Sequence, residues 1–296
     1  MRVLITGGGG FLAGHLLALA QLQATAGVEA RSLSRSECDL SQHKGRLSSA
    51  LRSFQPDRIF HLAGLINGSE SELFRDNQVA TVNLLETVGQ VAPAARIVLG
   101  STAAVYGCGG TAALPLSEDQ VATPRGDYAR SKYAAEQDAA VYAQAGVWLV
   151  TARMSNPVGA NMSPALLCGT LARQIVEIER GKPPILTLRD LTPKRDFVSA
   201  RDCAQALWHL AEFGTPGATY NVASGESISI TEMVNLYLDL ARVRPIEVKS
   251  DPANEERSSL HEQWLSNARL RALGWKPEQT LRQAISDQLD VERKRA

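Results

Sequence analysis

Cysteine and histidine are scarce in this chain. The four cysteines, Cys38, Cys108, Cys168 and Cys203, are widely separated, and the five histidines are scattered. No CxxC pair and no ligand-spaced Cys/His cluster can be read, so no metal site is expected. Free thiols packed as small hydrophobes are expected instead. Excess charge is also lacking: 31 basic and 31 acidic side chains cancel, and no basic block stands out. That argues against a nucleic-acid partner. No apolar run approaches the ~18 residues of a membrane span. The chain opens almost directly on an apolar strand, without a basic n-region. The expectation is a soluble cytoplasmic protein. No internal repeat or low-complexity linker is visible, and 296 residues are enough to bury a full core.

What is present is alternation. Arg2–Thr6, Val28–Ser34, Arg58–Leu62, Arg96–Ser101 and Val147–Arg153 read as apolar strands. Helical periodicity runs over Phe11 to about Thr25, Leu47–Phe54, Asn77–Val91 and Gly126 to about Ala145. This β-α-β order predicts an α/β fold, a Rossmann-type doubly wound parallel sheet, with ligands outside the carboxyl ends of its strands. After Arg153 the alternation gives way. Helices near Ala165–Arg180, Ala200–Phe213, Ile230–Ala241 and Thr280–Val291 are mixed with short extended pieces at Ile185–Leu188, Thr219–Ala223 and Ile246–Lys249. The expected division is a cofactor domain over 1–155, with 196–222 returning to it, and a smaller α+β substrate region over 156–296.

The first strand runs into Thr6-Gly7-Gly8-Gly9-Gly10-Phe11-Leu12-Ala13. A strand, a glycine turn and a helix in that order form the context of a dinucleotide site. Gly7 permits the sharp turn, and Gly10 lets the backbone approach a pyrophosphate. Phe11 and Leu12 open the helix whose N-terminus faces that charge, and Ala13 allows close helix–strand packing. The second strand ends Leu33-Ser34-Arg35-Ser36. A carboxylate there would hold the ribose 2′-hydroxyl of NAD, whereas Arg35 offers a guanidinium for a 2′-phosphate. NADP(H) is therefore the preferred cofactor in this reading and NAD(H) the second. Asp39 and Leu40 are placed beside the adenine, and Leu62, Ala63 and Gly64 along the cofactor backbone.

The fourth strand leads into Ser101-Thr102-Ala103-Ala104, and a later helix carries Tyr128-Ala129-Arg130-Ser131-Lys132. Tyr128 and Lys132 are four apart, hence on one helical face. A free tyrosine has a pKa near 10. An ammonium one turn away is expected to lower it and make Tyr128 an acid–base group at neutral pH. Thr102 is placed to hold the reacting oxygen, with Ala103 beside it.

Together these segments resemble the extended short-chain dehydrogenase/reductases, the NAD-dependent epimerase/dehydratase family. Further matches are Asn77 with Thr81-x-Asn83-Leu84-Leu85-Glu86, Arg195-Asp196-Phe197, Tyr220-Asn221-Val222 and Leu273-Gly274-Trp275. Within that family, Asn156-x-x-Gly159, Ala172-Arg173-Gln174-Ile175, Lys194-Arg195-Asp196-Phe197 and Asp251-Pro252-Ala253 look like the reductases of GDP-4-keto-6-deoxy-D-mannose. The resemblance implies NAD(P)H-dependent reduction of the C4 ketone of a nucleotide-linked 4-keto-6-deoxyhexose, giving GDP-D-rhamnose or a related deoxysugar. It further implies Asn156, Arg173, Arg195 and Arg257 as substrate contacts and a homodimer. Two rival readings are a nucleotide-sugar 4-epimerase with retained NAD and a non-catalytic NADP-binding regulatory protein. A 4,6-dehydratase is disfavoured, because similar enzymes place an Asp-Glu pair where this chain has Ala103-Ala104.

Overall fold

The computed structural model describes residues 1–107, 113–188, 191–250 and 262–295. Its first half is β1 (Arg2–Thr6), α1 (Phe11–Leu22), β2 (Glu29–Leu33), α2 (Lys44–Phe54), β3 (Arg58–His61), α3 (Glu70–Phe74) and α4 (Ala80–Val91). A π-turn over Arg75–Val79 joins α3 to α4. β4 (Arg96–Thr102), α5 (Gly126–Gln144) and β5 (Leu149–Met154) follow. The second half holds β6 (Asn156–Val158), α6 (Leu167–Glu179), β7 (Ile185–Leu188), β8 (Lys194–Arg195), β9 (Phe197–Ser199), α7 (Ala200–Phe213) and β10 (Thr219–Val222). It ends with β11 (Ile228–Ser229), α8 (Ile230–Leu240), β12 (Glu247–Ser250), β13 (Glu262–Gln263), α9 (Ala268–Ala272) and α10 (Leu281–Arg295).

Six parallel strands form the main sheet in the order β10-β5-β4-β3-β1-β2. The doubly wound parallel sheet expected from the alternation is thus the fold. Strand alternation divides its core between two faces. Val3 and Ile5 pack with Leu16, Ala20, Leu207 and Trp208 from α1 and α7. Leu4 points the other way, into Leu47, Leu51, Leu84, Leu85 and Ala139 from α2, α4 and α5. Successive strands run outward from β1 to β2, then cross back to β3 on its other side. The sheet's switch point therefore lies between β1 and β3, where parallel α/β sheets open a crevice.

The extended piece expected at Thr219–Ala223, within the segment expected to return to the cofactor domain, forms β10 (Thr219–Val222) and completes the sheet beside β5. Four residues carry too little periodicity to reveal a partner as far back in the chain as Thr151–Met154; Tyr220 and Val222 are buried in the core. The remaining helices gather a separate core, with Leu171, Ile175, Met233, Tyr237, Ile285 and Leu289 at its centre.

Asp196, between β8 and β9, ties these parts together. It is 1% exposed. Its carboxylate accepts from the backbone N–H groups of Ser224 (2.9 Å), Gly225 (3.2 Å) and Leu265 (3.3 Å), and from the hydroxyls of Ser155 (3.1 Å) and Ser224 (2.8 Å). Burial raises its pKa in spite of these donors. Three of the donors are backbone groups with no substitute acceptor if the carboxylate is removed. Asp196→Ala should therefore cost about 3 kcal/mol or more of unfolding free energy, read from the urea midpoint. A change under about 1 kcal/mol would show that these strands meet without it.

Candidate active site

The switch point is closed by backbone. Gly7 has φ +74°, and a Cβ on it would stand 2.7 Å from Ala63 N. The turns after β1 and β3 therefore touch. The Gly10 N–H donates to Gly7 O at 2.8 Å. Gly10 sits at the N-terminus of α1 without any side-chain cap, so the first-turn amides keep their donors for another acceptor. At Gly64 a Cβ would lie 2.6 Å from Asn77 Oδ1. A bare-backbone cradle under an uncapped helix end is what a dinucleotide pyrophosphate needs, and the residues fit one.

Buried polar groups hold this cradle in register. The Ala63 N–H donates to Thr6 Oγ1 (3.3 Å), which contacts His61 Nδ1 at 2.7 Å. His61 Nε2 lies 3.0 Å from Thr81 Oγ1, whose hydroxyl donates to Asn77 O at 2.6 Å. Because the Thr81 hydroxyl gives its proton to Asn77, it accepts from Nε2–H, which makes Thr6 the donor to Nδ1. Burial, with the Lys132 charge adding to it, lowers the His61 pKa to about 3 and keeps the ring neutral. Asn77 in turn accepts from Leu65 N (2.8 Å) and donates to Leu65 O (2.9 Å) and Ser131 Oγ (2.9 Å). The loop after β3 is thereby fixed to α5.

The reacting side faces a cleft of ≈ 340 Å³. Thr102 ends β4, while Tyr128 and Lys132 project from α5, and all three line that cleft. Lys132 is 7% exposed. Its Nζ donates to Gly100 O at 2.6 Å. Burial lowers its pKa to about 8, partly offset by the Glu136 carboxylate. The Tyr128 pKa moves upward, contrary to the sequence expectation. Burial pushes the phenol up, and a hydrogen bond to Thr102 pulls it part of the way back. The Lys132 ammonium is directed to the Gly100 carbonyl rather than to the phenol.

Behind these residues, Arg153 holds the buried Glu136 through Nε (3.2 Å) and Nη2 (2.7 Å) and lies over the Tyr106 ring. Ser101 donates to Glu136, and Tyr106 OH donates to Asn221 Oδ1 at 2.7 Å. The pair therefore fastens the end of β4 to α5 and sets Thr102 against Tyr128.

Of the sequence-derived candidates, Gly7, Gly10, Phe11, Leu12, Leu62 and Gly64 share the cleft with the Thr102/Tyr128/Lys132 set. A smaller hollow of ≈ 110 Å³ continues from it and is lined by Gly7, Arg35, Asp39, Leu40, Ala63 and Asp76, among others. Arg35 was expected to offer an open guanidinium there. Instead its Nη1 and Nη2 donate to Asp76 at 3.0 and 3.1 Å. Asp39 accepts from Ser41 N and Oγ and lies 3.5 Å from Arg35 Nε.

The structure does not bring the other candidates into the cleft wall. The Ala103 side chain is buried with Val105, Tyr106 and Leu265. The Asn156 amide donates to Asp196 O at 2.7 Å. Arg173 is exposed on α6 and pairs with Glu177 at 3.1 Å, and Arg195 donates to Lys194 O at 2.8 Å. Arg257 lies outside the described residues. In their place the wall uses Leu65, Ile66, Met154, Pro157, Met162 and Leu166. Asn77 was legible as a match to the family pattern, whereas Asp76, just before the expected helix in the polar run Arg75-Asp76-Asn77-Gln78, carried no signal that set it apart. Among the described residues no group of three or more His, Cys, Asp or Glu could hold a metal, and no helix is long and apolar enough to cross a membrane.

Residues 3–223 match the family model described as the NAD dependent epimerase/dehydratase family. The chain is 34% identical to a GDP-6-deoxy-D-mannose reductase of Pseudomonas aeruginosa over 240 residues, 78% of each chain. It is 30% identical to a dTDP-6-deoxy-L-talose 4-dehydrogenase (NAD(P)(+)) of Kitasatospora kifunensis, over 97% of this chain and 94% of the relative. A solved structure of RMD from Pseudomonas aeruginosa complexed with NADPH superposes with a TM-score of 0.89 at 30% identity, covering 100% of this chain and 98% of that one. A glycine cradle at the switch point, a Thr/Tyr/Lys set on one cleft and a match over most of the chain agree. The chain belongs to the NAD-dependent epimerase/dehydratase family and is an NAD(P)-dependent oxidoreductase of the extended short-chain dehydrogenase/reductase type.

Proposed function

We propose that this protein reduces the C4 ketone of a nucleotide-linked 4-keto-6-deoxyhexose, with NADPH as the preferred reductant and NADH as the second. The observation that carries the reading is the site's acid–base inventory. Thr102 and a Tyr128 phenol held protonated by burial face the cleft, and the positions after Thr102 are Ala103 and Ala104. Ketone reduction needs one proton donor. Eliminating a C6 hydroxyl needs an additional acid–base pair, which two alanines cannot supply. The P. aeruginosa reductase and the 6-deoxy-L-talose 4-dehydrogenase, both named for chemistry on 6-deoxyhexoses, support the same substrate class.

NADPH, when bound, supplies the hydride. The chain's residues supply the rest. The Gly7–Gly10 backbone and the α1 amides would hold the pyrophosphate, and Arg35 would take the 2′-phosphate. Thr102 orients the ketone oxygen, and Tyr128 gives its phenolic proton to that oxygen as negative charge develops. Lys132 keeps a positive charge one helical turn away and anchors the end of β4 through Gly100 O.

A panel of GDP-, dTDP- and UDP-linked 4-keto-6-deoxyhexoses with NADPH, followed by loss of absorbance at the nicotinamide band, tests the reading. At least one member should be reduced stoichiometrically. Tyr128→Phe should lower kcat on that substrate by about 10²–10⁴-fold with NADPH affinity retained. No oxidation across the panel, with tightly retained NAD in the purified protein, would favour a 4-epimerase instead.

The lowered Lys132 pKa sets a pH dependence. The ammonium is intact below about 8 and lost above it. Tyr128, shifted upward, keeps its proton through that range. kcat/KM for reduction should therefore be level towards acid and fall as pH rises through about 8. A profile flat to pH 10 would show that the Lys132 charge contributes nothing.

A further inference from the structure

Asp76 accepts two arginines at once. Arg35 approaches from the end of β2, with Nη1–Oδ2 at 3.0 Å and Nη2–Oδ1 at 3.1 Å. Arg75 approaches along the helix, with Nε–Oδ1 at 3.0 Å and Nη2–Oδ2 at 3.0 Å. The carboxylate is 8% exposed, whereas the Arg35 side chain is 56% exposed. Asp76, Arg35 and Asp39 line the same hollow, which opens beside Gly7 and Ala63. With Arg75, these form a set of two positive and two negative charges. Glu37 takes no part in it, being hydrogen-bonded to Ser34 N and Oγ.

This arrangement has an uneven consequence for an incoming phosphate. The acceptor with the greater need is the buried carboxylate, and Arg75 alone satisfies both of its oxygens. Arg35 can leave Asp76 without orphaning a buried charge, which would otherwise be strongly opposed. A dianionic phosphate offers Arg35 an equivalent bidentate acceptor. The exchange then trades one half-exposed ion pair for another, and the phosphate gains less than it would from an open guanidinium.

We propose that Asp76 is a specificity-determining residue: it holds Arg35 in a pair that a 2′-phosphate must displace, so it restrains the preference for NADPH over NADH. The inference rests on the reading that Arg35 takes the 2′-phosphate. NADH, lacking that group, leaves the Arg35–Asp76 pair in place and binds at its full affinity. Asp76 thus narrows the gap between the two cofactors while Arg35 widens it.

Calorimetric Kd values for NADPH and NADH, measured on the wild type, Arg35→Ala, Asp76→Asn and the double variant, separate the two ideas. Arg35→Ala should weaken NADPH about tenfold and leave NADH unchanged. Equal losses for both cofactors, or no loss, would remove Arg35 from the 2′-phosphate site and the inference with it. If Arg35→Ala behaves as expected, Asp76→Asn decides the inference. Freeing a half-exposed ion pair is worth about two- to fivefold, so NADPH should bind that much more tightly with NADH unchanged. The gain should vanish when Arg35 is also Ala. NADPH affinity unchanged or weakened in Asp76→Asn, a change in NADH affinity, or a gain that survives in the double variant would each overturn it. Circular dichroism melts of the four proteins establish that the compared variants are folded.

Discussion

The site is organised around one buried ammonium. Lys132 is almost wholly inside the protein, and a charge there persists only with a partner of the right geometry. Gly100 O supplies the hydrogen bond at 2.6 Å, and the Glu136 carboxylate supplies opposing charge. Glu136 is itself buried, so it needs Arg153, and Arg153 rests on the Tyr106 ring. His61, whose pKa the Lys132 charge helps to lower, stays neutral and relays hydrogen bonds between Thr6 and Thr81. Gly100 lies on β4, Glu136 on α5 and Arg153 on β5. Satisfying one cation therefore fixes β4, β5 and α5 relative to one another, and with them Thr102 and Tyr128.

The two ends of the cofactor site follow different physics. At the proposed pyrophosphate end the cradle is bare backbone, and added side-chain volume is excluded by Ala63 and Asn77. At the proposed adenosine end stand Arg35 and Arg75, part-exposed cations whose charges the more buried Asp76 and Asp39 already compensate. The first, as proposed, does not distinguish NAD from NADP. The second is adjustable, since exposed ion pairs are worth little and exchange readily.

How much of this was legible in the sequence depended on distance along the chain. The glycine turn and the Tyr128/Lys132 spacing are local patterns, and the structure brings all of them to one cleft. Arg35 was legible as a cation in the right loop, but its partner Asp76 stands 41 positions away, and no local pattern joins them. The upward shift of Tyr128 was missed for a similar reason. Helical spacing shows that Lys132 is near, but not how deeply the phenol is buried, and burial is what pushes it up. Asn156 and Arg173 rested on resemblance; Asp196 O, 40 positions away, holds the first side chain, and Glu177, one helical turn on, holds the second. The segment 196–222 was expected to return to the cofactor domain, but the neighbour of β10 in the sheet was not named, because strand partnership is a non-local property.

The central claim is that hydride passes from the reduced cofactor to C4 of the sugar while the protein only donates a proton. NADPH deuterated at the transferring C4 position, incubated with the 4-keto-6-deoxyhexose nucleotide that the panel identifies, tests it most directly by NMR of the product. The account predicts one deuterium at the sugar C4 for each NADPH oxidised, and none at C3, C5 or C6. Deuterium absent from C4, or product formed without oxidation of added cofactor, would contradict it.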